Sequence, residues 1–208
     1  MTFVYAASLV VGAYLLGSVS FAVVVSKLMK LPDPHSYGSG NPGATNVLRT
    51  GNKKAAILTL LGDCLKGFFA VYIAKLIMPQ QEALNTILAL VAFAVFLGHV
   101  FPIFHKFKGG KGVATAAGVL FGIHWILGLA ALSTWLIMAF FFRYSSLAAL
   151  TTAIFAPLFC YFLLILNQGL SQEICLAVVA IGILLIWRHQ SNIQKLMNGT
   201  EGKIGQKK

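Results

Sequence analysis

Six apolar stretches, 3–26, 55–78, 83–104, 113–142, 147–166 and 172–187, make up most of the chain, and polar residues collect between them. Five of them are close to the length of one membrane-crossing helix, ~20 apolar residues and ~17 at the short end. The fourth has thirty residues and fits either one over-long helix or two short ones. Charge decides between these. No lysine or arginine precedes the first stretch, whereas Lys27 and Lys30 follow it, the reverse of a secretory signal peptide. The first stretch is therefore a retained span with its N-terminus outside, because basic residues favour the cytoplasmic side. Lys27, Lys30, Arg49, Lys53 and Lys54 then lie inside, as do Lys106, Lys108 and Lys111. If 113–142 turns near His124–Trp125 and crosses twice, Arg143 and the basic tail from Arg188 to Lys208 return to that side as well. Fourteen of the sixteen basic residues are then cytoplasmic, with Lys66 inside a span, Lys75 near an outer end, and Glu82 and Glu173 in outer loops. The pattern predicts an all-α polytopic membrane protein: a seven-span helical bundle, N-terminus outside and C-terminus cytoplasmic.

Composition agrees. The chain is 58% hydrophobic and 10% charged, where a soluble globular protein carries about 25% charged residues. Residues 1–208 leave room for a single integral membrane domain and no separate soluble one. A formal net charge of +11 would suggest nucleic acid in a soluble protein; here the positive-inside rule accounts for it, and no nucleic-acid partner is expected. Cys64, Cys160 and Cys175 sit in apolar stretches without metal or redox spacing and read as buried free thiols. No metal site is expected. Parity brings the polar segments 30–54, 105–112 and 188–208 to one membrane face, so chemistry is sought there.

The run from His105 to Thr115 sets three lysines and three glycines in a short turn between apolar stretches. Glycines let backbone N–H groups converge, lysines add full charge, and a helix beginning near Val113 would present its N-terminus, an arrangement suited to phosphate. The spacing is not that of a nucleotide P-loop. At a membrane edge it suggests a lipid-linked phosphate; the alternative is a basic turn that merely ends a span. The first segment, Ser36 to Arg49, holds Gly38, Gly40 and Gly43, a Pro42-Gly43 turn, and a short helix from Ala44 to Leu48 ended by Gly51. Ser39, Asn41, Thr45 and Asn46 supply neutral hydrogen-bonding groups, and Arg49 a fork suited to phosphate. In the third segment His189 and Asn192 stand three apart and share a helix face. The histidine there is a candidate proton carrier or phosphate donor, against a plain polar helix end that anchors to anionic lipid. Asp63 and Lys66, three apart in the second span, read first as a structural ion pair and second as support for the site. His99 reads as a packing residue at a depth that suits support.

The runs GSGNPGATNVLR from Gly38, GHVFPIFHKFKGGKGVAT from Gly98 and RHQSNIQKL from Arg188 resemble the three motifs of the bacterial acyl-phosphate:glycerol-3-phosphate acyltransferases, the PlsY family. The resemblance extends over nearly the whole chain and includes the Asp63-x-x-Lys66-Gly67 element; Lys195 stands where the family often has arginine, and the tail is short. It implies transfer of a fatty acyl group from acyl phosphate to the 1-hydroxyl of sn-glycerol 3-phosphate, the first acylation of phospholipid synthesis, with no cofactor. It implies seven spans in the bacterial cytoplasmic (inner) membrane, with membrane lipids around them and the site on the cytoplasmic face. Carried over, Ser39, Arg49, Lys111 and His189 are the candidate catalytic residues. Asn41, Thr45, Asn46, Lys108, Gly109, Gly110, Gly112 and Asn192 are the candidate substrate contacts, with the glycines as a phosphate cradle.

The chemistry is consistent with that. Two phosphate-bearing substrates need several negative charges offset, and Arg49, Lys108, Lys111 and glycine N–H groups are placed to do so. A mixed anhydride already has a good leaving group, so no strong nucleophile is required, and positioning with charge stabilisation supplies most of the acceleration. The hydroxyl proton goes either to His189 or to a substrate phosphate oxygen; the family resemblance leans toward the substrate. A transporter of organic phosphates is the rival reading, but transporters place their sites near the midplane, whereas these motifs collect at one face. An acyl-CoA-dependent H-x-x-x-x-D enzyme is disfavoured because no aspartate follows His99, His105 or His189 at that spacing.

Overall fold

The structure, a computed structural model, describes residues 2–78 and 84–205, with side chains from residue 4 onward. Glu82, Lys207 and Lys208, which entered the charge argument, lie outside the described residues. Ten α-helices and no strand are found among the described residues: α1 Thr2–Ser18, α2 Phe21–Leu28, α3 Ala44–Val47, α4 Lys53–Ile77, α5 Leu84–Val100, α6 Val113–Ile123, α7 Trp125–Phe142, α8 Ser145–Ile165, α9 Gln172–Arg188 and α10 Gln190–Met197.

Four segments are long and apolar enough to cross a bilayer unaided: Lys53–Ile77, Leu84–His105, Trp125–Phe142 and Ser145–Ile165. Two more are bent pairs, α1 with α2 at 45° and α9 with α10 at 58°. The first apolar stretch is thus not the single straight helix expected over 3–26. It breaks at Val19–Ser20, where the Ser20 hydroxyl caps α2 by accepting from Val23 N–H at 3.5 Å. The carbonyl of Val19, freed by the break, accepts from Lys66 Nζ at 2.6 Å. The stretch 113–142 does divide at His124, which ends α6 and begins α7. At eleven residues α6 is about 17 Å long, short of a ~30 Å hydrocarbon core.

Small residues hold the bundle together, as lipid-facing surfaces leave little hydrophobic drive between helices. Along α4 and α6, a methyl at Gly67 would strike the Thr115 carbonyl, one at Gly118 the Cys64 carbonyl, and one at Gly122 would sit 2.9 Å from Val71 Cβ. Gly17 and Gly98 allow the same backbone approach between α1 and α5. The α5 helix is buried on nearly every side, with Val91, Val95, Phe96 and Val100 sealed from solvent. In contrast, α7 turns Phe140, Phe141 and Ile137 outward, as a lipid-facing helix does.

Candidate functional site

The glycine–lysine turn is pinned to the end of α5. Pro102 follows α5, one 3-10 turn spans Ile103–His105, and Lys106 and Phe107 then take left-handed conformations at φ 52° and 59°. Gly110 N–H donates to the His99 carbonyl at 3.1 Å. A side chain at Gly109 would collide with that carbonyl, and one at Gly110 with His99 Nε2. Gly112, at φ 88°, sits at the cap of α6 with no room for a methyl beside the Phe96 ring. Beyond it, Val113 and Ala114 face a cavity. The first N–H groups of a helix lack internal partners and carry its positive dipole end, so this start of α6 favours an anion.

The first polar segment is folded around Asn46, which is 2% exposed. Its amide donates to the carbonyls of Pro34 at 2.8 Å and Tyr37 at 3.2 Å, and its Oδ1 accepts from Ser39 N–H at 3.0 Å and Ser39 Oγ at 3.2 Å. Asn46 therefore clasps the loop from within and leaves its amide no free donor for a ligand. Gly38, at φ 61°, leaves room for the Asn46 amide and the stem of Arg49, whose Cδ lies 3.0 Å from where a methyl would be. The short helix expected from Ala44 is present as α3 with a further 3-10 turn to Thr50, stopped by Gly51 at φ 83°. His35, which carries no signal in the sequence, bridges this segment to the lysine turn: Nδ1 lies 2.7 Å from Asp33 Oδ1 and Nε2 3.3 Å from the Lys108 carbonyl. The hydrogen bond from His35 N–H holds the Asp33 carboxyl below its ordinary value.

The third segment closes the ring. Arg188 Nη2 donates to the Gly109 carbonyl at 3.0 Å, and its guanidinium lies over the rings of Phe101 and Trp187 at 6.0 and 5.8 Å. Just past α9, His189 donates from Nδ1 to the Leu185 carbonyl at 2.8 Å, which leaves Nε2 as the acceptor nitrogen. Lys111 Nζ donates to Asn192 Oδ1, and Asn192 Nδ2 donates to Glu201 Oε1 at 2.8 Å. Glu201 also accepts from Ser146 Oγ at 2.5 Å, fixing the tail against the start of α8. Burial brings the Lys111 ammonium down to about 8, opposed by Glu201 and aided by Lys195, Arg188 and Arg49.

All three segments line one cavity of about 750 Å³. Of the residues singled out in the sequence, Ser39, Asn41, Thr45, Asn46, Arg49, Lys108, Gly109, Lys111, Gly112, His189 and Asn192 border it. Gly110 does not; it lies behind the wall with its N–H spent on His99, which corrects its expected role as a phosphate contact. Arg188, Lys195 and Glu201 join the wall, as do Asp63 and His99 from within the bundle. Asp63 stands 2.8 Å from Lys66 Nζ and 3.6 Å from His99 Nδ1, so the buried pair both caps the α1–α2 break and reaches the site. Spacing within a segment could suggest Asn192 beside His189, but not Glu201 or His35, whose partners are supplied by distant elements. The cysteines are free; Cys160 and Cys175 are buried as expected and Cys64 is half-buried. Among the described residues no three His, Cys, Asp or Glu side chains gather as metal ligands.

The cavity changes character along its length. Its mouth carries Arg49, Lys108, Lys111, Arg188 and Lys195; its depth, between α6, α7, α8 and α9, is lined mainly by alanine, leucine, valine and isoleucine, with Trp135, Thr152 and Gly182 among them. Such a site takes a ligand with an anionic head and a long apolar tail.

Known proteins resemble this chain in sequence and in fold. Residues 7–199 match the family profile described as glycerol-3-phosphate acyltransferase. A glycerol-3-phosphate acyltransferase of Cupriavidus taiwanensis is 66% identical over 196 residues, covering 94% of this chain and 95% of that one. One from Burkholderia pseudomallei is 62% identical over 198 residues, covering 95% of each. Two crystal structures of PlsY, an integral membrane glycerol 3-phosphate acyltransferase, superpose on this chain. The glycerol 3-phosphate form has a TM-score of 0.87 at 40% identity over 97% of this chain and 96% of that one. The lysophosphatidic acid form has 0.85 at 39%, with the same coverage. With the three motifs meeting at one cavity and these likenesses spanning nearly its whole length, the chain belongs to the glycerol-3-phosphate acyltransferase family of integral membrane proteins.

Proposed function

We propose that this protein transfers a fatty acyl group from acyl phosphate to the 1-hydroxyl of sn-glycerol 3-phosphate, releasing 1-acyl-sn-glycerol 3-phosphate and phosphate. The observation that carries the reading is the continuity of a cationic mouth with an apolar groove in one cavity. The acyl chain lies in the groove, and both phosphates lie at the mouth among Arg49, Lys108, Lys111 and the N-terminal N–H groups of α6. The hydroxyl oxygen forms a bond to the acyl carbonyl carbon, and the bond from that carbon to the phosphate oxygen breaks. Charge moves onto the departing phosphate, where fixed cations stabilise it without reorganising. The hydroxyl proton passes to a substrate phosphate oxygen. His189, its Nδ1 proton held by the Leu185 carbonyl, offers Nε2 as a positioning acceptor. Ser39, Asn41, Thr45, Gly109, Gly112 and Asn192 orient the two anions, and Asn46 holds the loop that carries Ser39.

The chain works as one domain in the bacterial inner membrane. Its bent pairs each cross once and α6 counts as the seventh, short span, with the N-terminus outside and the site on the cytoplasmic face. That orientation rests on the basic residues gathered at the mouth.

Purified protein in detergent is expected to convert glycerol 3-phosphate and palmitoyl phosphate to lysophosphatidic acid and phosphate without added metal, CoA or ATP. Palmitoyl-CoA should give little product. Efficient turnover of the CoA ester, or no turnover of acyl phosphate by folded protein, would overturn the assignment of the donor.

A further inference from the structure

We propose that the apolar groove is an acyl-length ruler whose end is set by Ala131 and Ala156 and closed by a floor of Leu127, Cys160 and Cys175. The proposal rests on the acyl-transfer reading of the cavity. Along α8 the lining residues recur on one face, from Ser145 and Ser146 through Ala149, Thr152 and Ala153 to Ala156, and stop there. One turn further stands Cys160, fully buried and outside the cavity. Along α9 the lining runs back from Leu185 through Gly182 and Ile181 to Val178, and one turn beyond it stands Cys175. The two sulfurs lie 2.7 Å apart and close the space between α8 and α9 beyond the last lining residues.

The third wall ends at the same depth. Helices α7 and α8 form a hairpin about residues 143–144, so Ala131, eleven residues before Phe142, stands level with Ala156, eleven after Ser145. Ala131 is the deepest lining residue of α7, and Leu127, one turn beyond it, is fully buried. Three helices therefore stop lining the cavity within about a turn of one another, which is a floor rather than a taper.

The floor gives a length. Eleven residues of helix from Ser145 to Ala156 span about 17 Å. An extended hydrocarbon with C–C bonds of about 1.5 Å advances roughly 1.25 Å per carbon, so about thirteen carbons fit before the chain meets the floor. Acyl chains of about fourteen to sixteen carbons then reach it, counting those near the reacting carbonyl at the mouth. Both terminal residues are alanines, the smallest side chains that still line a wall, so added bulk there must project into the groove or push the helices apart.

The test measures kcat/KM for lauroyl, myristoyl, palmitoyl and stearoyl phosphates in wild type, Ala156→Leu, Ala131→Leu and Leu127→Ala. Either leucine variant should lower the palmitoyl-to-lauroyl ratio at least about tenfold, the effect of one or more methylenes lost from a fitted pocket. KM for glycerol 3-phosphate should stay unchanged, since the mouth is untouched. Leu127→Ala should raise the stearoyl-to-palmitoyl ratio. The two leucines enter from different helices, so misfolding of one leaves the other decisive, and Leu127→Ala tests the floor from the opposite direction. Unchanged ratios in folded variants overturn the ruler. If wild type uses acyl-CoA instead of acyl phosphate, the donor assignment fails while the same ratios, measured with CoA esters, still decide the ruler.

Discussion

Lys111 tests the cationic mouth most sharply, because its charge is set by its surroundings. The ammonium has an ordinary value of 10.5, and burial brings it to about 8. About nine in ten free enzyme molecules then carry the cation at pH 7, and about one in ten at pH 9. The quantity kcat/KM reports groups of the free enzyme, so with glycerol 3-phosphate varied it should fall about tenfold between those pH values. In Lys111→Arg the charge persists throughout, and the profile should stay flat over that range even where the rate at pH 7 is lower. Lys111→Ala removes the cation at every pH and leaves Asn192 without its donor. A unit charge pair about 4 Å apart at an effective dielectric of about 20 is worth about 4 kcal/mol. With most of that expressed as phosphate charge develops, the loss at pH 7 should be about two orders of magnitude, or about 3 kcal/mol. Stability moves the other way. Between about 8 and 10.5 the unfolded chain binds a proton that the folded protein has lost, so substrate-free protein gains stability as pH rises through that window. The assay is the initial rate of lysophosphatidic acid formation in detergent, with spontaneous loss of acyl phosphate subtracted at each pH. A wild-type profile flat from pH 7 to pH 9 would refute the reasoning, as would folded Lys111→Ala within about threefold of wild type.

The Arg49 side chain carries no hydrogen bond among the described residues, so Arg49→Ala should cost about two orders of magnitude in kcat/KM and leave the thermal midpoint in place. Gly110→Ala should lower both, because the new methyl falls on His99 Nε2 and lies 3.0 Å from the Pro42 carbonyl; full activity at an unchanged midpoint would show that the turn has slack. Gly118→Ala would drive a methyl into the Cys64 carbonyl between α4 and α6. It should cost about 2 kcal/mol or more, read as loss of the monodisperse peak in size-exclusion chromatography. For orientation, a cysteine-free background with Gln168→Cys should label from outside intact cells, and Lys53→Cys or Lys106→Cys only after permeabilisation. Lys106 is exposed, so external labelling of Lys106→Cys would reverse the topology.

Much of this protein is legible in one dimension because the bilayer imposes one rule on every span: apolar for its length, basic on the inner side. That rule located the helices, divided 113–142 at His124, and brought three polar segments to one place before any contact was known. Glycine with lysine at 106–112 and the fork of Arg49 suggest phosphate, beside the plainer reading of a basic turn that ends a span. What the sequence could not supply is which groups are already spent. Asn46 reads as a ligand contact by type, yet its amide and carbonyl oxygen are consumed inside the loop. Gly110 reads as part of a cradle, yet its N–H and its missing side chain both serve His99. The bend at Val19 depends on a lysine 47 residues away to satisfy its carbonyl. Glu201 and His35 enter the site through partners that no local pattern names. Periodicity and charge are properties of neighbours along the chain, whereas the use of a hydrogen bond or the end of a groove is decided by residues that meet only when the helices pack.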